Sequence, residues 1–255
     1  MQELLLLPEA ISLTEFIFLV VLSFFTSFIS ASIGIGGGTV LIAVMAQIVP
    51  TKAIIPVHGV VQIGSNFGRA AVLLKHVKQV HLLWFIIGGL VGAVIGGQLV
   101  VELPAAYLKL ILGCFILYSV WAPKPKSANR SVKRLSISGA ISTFLTMFVG
   151  ATGPFVMASL RPFGFKPTEL VATNAACLVS QHSLKIIIFG FLGFAFSSYL
   201  ALIALMVCTG FLGTLTGRKV LLKVNEEKFR RVLNLTLSLL AIRLVYTGLT
   251  GSFFN

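Results

Sequence analysis

Basic residues fall inside apolar segments of this chain, Arg69, Lys185 and Arg243 among them, and no Asp and no central Glu accompanies them. Ionisable groups at membrane depth are costly and mark sites or pathways. A cation site would offer carboxylates, so a surplus of positive charge suits an anion. Arg69 lies near the end of its segment, where snorkelling is the simpler account. Lys185 lies toward the outer end of its own and could snorkel too, but Asn174, Gln181 and His182 precede it. Arg243 falls mid-segment, where snorkelling is hardest, and is the strongest functional choice of the three. Gln62 and Asn66 are four apart and share a helix face, as do Gln181 and Lys185. Whether these faces line a path or bond neighbouring helices stays open at this point. His58 and His182 lie within membrane segments and can exchange protons near neutral pH, which makes them the candidates for proton coupling. A hydrogen-bonded core histidine is the commoner fate.

Backbone chemistry offers a second way to hold an anion. Four glycines in the five positions from Gly34 to Gly38 cannot sustain a helix inside the long apolar run from Leu13 to Val49. Two helical pieces meeting at an unwound break are expected, and lipid tolerates a break only where it is buried in protein or lines a cavity. A second break is expected at Gly150-Ala151-Thr152-Gly153-Pro154. A half-helix starting at such a point presents free N–H groups and a positive dipole end. Gly36, Gly37, Gly38 and Thr39 from the first break, with Thr152 and Gly153 from the second, could then form an oxyanion cradle. Pro154 suits a first helical turn, with Thr152 or Gly153 near the cap. Close helix packing at small residues explains the same glycines without a ligand.

The elements that must position these groups follow from composition. Of the residues, 57% are hydrophobic and 11% are charged, with a mean hydropathy of +1.01. That balance belongs to a polytopic helical membrane protein, and the continuous runs lack the period-two alternation of a membrane barrel. Met1–Leu4 has no basic n-region, so the first apolar segment is expected to remain in place. Cys114, Cys177 and Cys208 lie in apolar segments without CxxC spacing and read as packing residues. The net charge of +13 sits in short loops, which follows the positive-inside rule and argues against nucleic acid. The lipid bilayer is therefore the expected partner. There is no HExxH, no paired intramembrane carboxylate, no His/Cys cluster and no serine nucleophile motif. The glycine stretch lacks the strand and βαβ context of a nucleotide loop. Neither an enzyme nor a cofactor or metal site is expected.

The fold expected is an all-α polytopic membrane protein of two inverted repeats, each a broken re-entrant helical hairpin plus three transmembrane helices. The first repeat, 1–121, holds a hairpin over 13–49 and helices over 53–74, 80–101 and 105–121. A basic cytoplasmic linker, 122–134, carries Lys124, Lys126, Arg130, Lys133 and Arg134. The second repeat, 135–255, holds a hairpin over 135–165 and helices over 169–189, 199–216 and 231–249. The linker and the Lys75–Gln79 loop are placed inside, with the acidic start (Glu3, Glu9, Glu15), the uncharged Gly190–Ser198 loop and Asn255 outside. Gly89-x-x-Gly92-x-x-x-Gly96 matches Gly210-x-x-Gly213-x-x-x-Gly217, and Pro50-Thr51 matches Pro167-Thr168. A hairpin plus three spans makes an odd number of crossings, so the copies invert. The paired glycine motif reads as helix packing alone.

Gly34-x-Gly36-Gly37-Gly38, its weaker echo after the basic linker and a Pro-Thr turn some way after each together resemble the TauE/SafE family. This is the sulfite exporter and toluene-sulfonate uptake permease group of membrane transporters. The second copy departs from the glycine pattern, with Thr152 and Pro154 where glycines could stand. The resemblance implies secondary transport of a small sulfur-containing anion, such as sulfite, thiosulfate or an organosulfonate, across a bacterial inner membrane. It leans toward export. An anion-selective channel and a proton-coupled importer of a sulfonate or other organic anion are the alternatives, and broken helices in inverted repeats favour a carrier. The assembly is left open, with a homodimer among the options.

Overall fold

Glycine decides where the first apolar run breaks. The computed structural model describes residues 8, 10–33, 36–121, 131–219 and 226–253. Leu13–Ile33 forms α1 and Gly37–Ile48 forms α2. Between them Gly36 has φ 104°, a conformation that any side chain disfavours. Gly37 then lies against the backbone of Thr26 and the hydroxyl of Ser30, so the chain has doubled back along α1. Helices α3 (Thr51–Val72), α4 (Gln79–Glu102) and α5 (Ala105–Trp121) complete the first half.

The second half repeats this order. It comprises α6 (Arg134–Val149), α7 (Gly153–Leu160), α8 (Pro167–Phe191), α9 (Leu200–Lys219) and α10 (Glu226–Phe253). Gly150, at φ 67°, ends α6 and opens the second break. No strand occurs among the described residues, as the all-α reading requires. Gly34 and Ile35, the acidic Glu3 and Glu9, the linker residues Lys124, Lys126 and Arg130, and Asn255 lie outside them. The uncharged 190–198 segment is not a plain loop. It contains a 3-10 turn at Phe196–Tyr199, where the Phe194 ring packs on Phe196 and Tyr199 with centroids 4.8 and 5.9 Å apart. Among the described residues α10 runs from Glu226, and its Arg231–Gly251 part is long and apolar enough to cross a membrane.

Packing pairs the halves reciprocally. Helix α1 lies on α9 and α6 on α4, while α3 pairs with α8 and α5 with α10. Exchanging the two halves maps this set of pairs onto itself. Glycines set the closest approaches: Gly88, Gly92 and Gly96 of α4 lie against Ser136, Ala140 and Phe144 of α6. Gly213 and Gly217 of α9 lie against the backbone of Phe24 and Phe28 of α1. A Cβ at most of these positions would meet main-chain atoms, so the small residues serve helix contact.

Four segments are long and apolar enough to cross a membrane: Leu13–Ser32, Gln79–Val100, Phe196–Gly217 and Arg231–Gly251. Their outer faces expose Leu83, Ile87 and Val94 on α4 and Leu235, Leu239 and Ile242 on α10. An apolar surface of that kind suits lipid, not water. Helices α3 and α8 are as long but form the interior, with His58, Gln62, Ser65 and Asn66 buried on one and Asn174, Gln181, His182 and Lys185 on the other.

Candidate functional site

The two interior helices run antiparallel. After α3, the Lys78 N–H donates to Thr173 Oγ1 at 3.0 Å and its ammonium pairs with Glu169 at 2.7 Å, both near the start of α8. At the other level Gly59 of α3 lies against the side chain of Lys185. Between these levels the two breaks meet. His58 Nε2 donates to the Gly38 carbonyl at 3.0 Å, and because a carbonyl only accepts, this nitrogen carries the ring proton. A Cβ on Gly38 would stand 3.1 Å from the Gln62 amide. On the other side Gln181 Nε2 donates to Thr152 Oγ1 at 2.7 Å and to the Ser142 carbonyl at 2.8 Å. Thr152 is the N-cap residue of α7, and Pro154 stands in its first turn.

A cavity lies between the breaks. Its volume is about 50 Å³, several times what one water needs and suited to one small polyatomic ion. Its walls are Ser30, Gly36, Gly38 and Thr39 from the first break and Gly150, Ala151, Gly153 and Pro154 from the second. Helix α3 contributes His58, Gln62, Asn66 and Arg69, and α8 contributes Asn174, Leu178 and His182. No Asp or Glu is among them. Arg69 Nη2 donates to Asn66 Oδ1 at 2.8 Å, and Asn66 Nδ2 donates to the Gln62 carbonyl at 2.8 Å. The rings of His58 and His182 meet edge to face with centroids 6.2 Å apart. Arg69 Nε, His58 Nδ1, His182 Nδ1 and Asn174 Oδ1 are buried without a hydrogen-bond partner among the described residues. Buried polar atoms cost free energy unless a solute or water supplies the partner.

Of the residues singled out in the sequence, Gly36, Gly38, Thr39, His58, Gln62, Asn66, Gly153, Asn174 and His182 line this cavity. Gly37, Thr152 and Gln181 shape the breaks from behind it. Lys185 does not snorkel: it is wholly buried off the cavity, and its Nζ has no partner among the described residues. Arg243 is not brought to the site. It is exposed on α10, between the outward Ile242 and the buried Leu244. Depth along a helix singled it out, and the face of the helix excludes it. Arg69, expected to snorkel, instead supplies the cavity's guanidinium. Its signal was spacing: it follows Asn66 by three on the face that already carries Gln62.

A polytopic helical membrane protein that holds a carboxylate-free cavity lined by polar side chains between two broken helices is the class these features define. The chain belongs to the sulfite exporter TauE/SafE family, whose model matches residues 19–244, and is thus a multi-pass membrane transporter. No curated protein and no solved structure matches it.

Proposed function

We propose that this chain is a secondary transporter that exports a small sulfur-containing anion, such as sulfite, thiosulfate or an organosulfonate, across a bacterial inner membrane. The anion binds near the midplane between the two helix breaks. The observation that carries this reading is the cavity itself, which sets the guanidinium of Arg69 among the starts of α2 and α7 with no acidic side chain. First-turn N–H groups lack intrahelical acceptors, and each helix start carries about half a positive charge. A compact oxyanion meets both, whereas a cation meets neither. The re-entrant, inverted reading of the repeats is supported by the doubling back at Gly37 and by helix contacts that survive exchange of the halves. Inverted copies around a central site are the framework of alternating access.

Binding to purified protein tests the reading. Sulfite, thiosulfate and methanesulfonate should bind more tightly than phosphate or acetate, and sodium should not bind. Preference for a carboxylate or a cation overturns it. A second reading, proton-coupled movement of a sulfonate or other organic anion, is favoured by the Nδ1 atoms of His58 and His182 beside the same cavity, which have no hydrogen-bond partner among the described residues. It predicts transport that follows a pH gradient.

A further inference from the structure

The interior helices carry one polar pattern twice. In α3 it reads His58-x7-Asn66-x2-Arg69, and in α8 it reads Asn174-x7-His182-x2-Lys185. The histidine and asparagine have changed places, and each copy ends on a cation. The register agrees with the breaks, since Gly37 at the start of α2 precedes Arg69 by the same number of residues as Gly153 at the start of α7 precedes Lys185. Gly38 faces Gln62 and Gly153 faces Leu178, which marks the centre of the site on each helix. Arg69 then lies roughly 10 Å along α3 from that centre, and Lys185 roughly 10 Å along α8, at 1.5 Å per residue. Because α3 and α8 are antiparallel, the two cations lie on opposite sides of it.

Five of the six residues line the cavity. The sixth, Lys185, is fully buried against Gly59, with no hydrogen-bond partner for its ammonium among the described residues. Arg69 is partly exposed and reaches the cavity from the end that carries the Lys75–Gln79 loop. We infer that Lys185 is the anion-holding cation of the opposite-facing state, the counterpart of Arg69 on the far side of the breaks. In the arrangement described here Arg69 lines the cavity and is partly exposed, whereas Lys185 is buried outside it. When the halves exchange their conformations, Lys185 comes to line the cavity and Arg69 is covered. The anion passes from one cation to the other.

The inference rests on the carrier reading but not on the identity of the anion, and its test uses no transported solute. Cys114, Cys177 and Cys208 are free and would be replaced by serine in the full chain. Arg69→Cys and Lys185→Cys are then exposed, each alone, to a membrane-impermeant thiol reagent in vesicles of either orientation. Arg69→Cys should label from the face of the Lys75–Gln79 loop, and Lys185→Cys from the opposite face only. Labelling of Lys185→Cys from the same face as Arg69→Cys, or from neither, overturns the inference. If that variant does not assemble, Gly59→Cys places a thiol at the same contact and must label from the same opposite face. Opposite-face labelling in a protein that ignores sulfur anions would leave this inference standing and sink only the proposed substrate.

Discussion

Gln181 of α8 donates its amide to the hydroxyl of Thr152, 2.7 Å away, so an interior helix holds the residue at the N-cap position of α7. The same nitrogen reaches the carbonyl of Ser142 on α6. Gln181 is wholly buried, and this one side chain therefore joins three elements at the second break.

Replacing Gln181 by Leu removes the amide donor to Thr152 Oγ1 and the second donor to the Ser142 carbonyl, which keeps its intrahelical bond, at a cost of about 1–3 kcal/mol for a group left unsatisfied. The expected outcome is a lower thermal unfolding midpoint in detergent and weaker anion binding. An unchanged midpoint would mean that Thr152 is held by something other than Gln181.

The two glycines that open α2 and α7 should fail differently. A Cβ on Gly37 would run into the Thr26 carbonyl and the Ser30 hydroxyl, whereas one on Gly153 meets only Leu178, at 3.6 Å. Gly37→Ala should lose folded protein, seen as a reduced monodisperse peak on size exclusion. Gly153→Ala should yield normal amounts of protein with reduced transport, because Gly153 lines the cavity.

Charge at the cavity should matter and charge at the lipid face should not. Arg69→Gln removes charge-assisted hydrogen bonds worth about 1.5–3 kcal/mol, or roughly 10- to 150-fold in anion affinity. Arg69→Lys should recover only part of this, since an ammonium cannot reproduce the guanidinium fork. Arg243→Gln should leave affinity within about twofold. Equilibrium binding to the three purified variants gives the comparison.

Net movement should respond to voltage. A monovalent anion leaving a compartment that is 100 mV negative inside gains about 2.3 kcal/mol. In proteoliposomes, efflux should accelerate as the interior is made more negative and ignore an imposed pH gradient. The reverse result would assign the driving force to a proton, with His58 and His182 as the groups to replace next.

Local backbone chemistry makes much of this architecture legible in the sequence. Clustered glycines announce the turn at Gly36 and the left-handed Gly150, and Pro154 announces a helix start; each depends on its immediate neighbours alone. The polar stripes of α3 and α8 are legible as well, because Gln62 with Asn66 and Gln181 with Lys185 must share a face. Inward direction is harder to read. Helix α10 carries polar residues on opposite faces, Asn234 and Ser238 on one and Thr236 and Thr247 on the other, so no single polar face tells Arg243 from an interior residue, and only the packing of α5 against Ala241 and Val245 places it outside. Lys185 poses the converse problem. Its position near a helix end permits snorkelling, and the close approach of Gly59 that buries it joins residues far apart in the chain.

The reciprocal pairing of α1 with α9 and of α4 with α6 has a consequence for biosynthesis. Helix α1 enters the bilayer early, carrying Ser23, whose hydroxyl finds the Met206 carbonyl of α9 at 2.7 Å, and that partner is made near the end of the chain. Until α9 is inserted, the polar groove of α1 faces lipid or borrowed contacts. Neither half can then mature as a unit of its own. A gene severed at the linker should restore activity only where both fragments are translated in the same cell, each supplying the surface on which the other's first helix completes its packing.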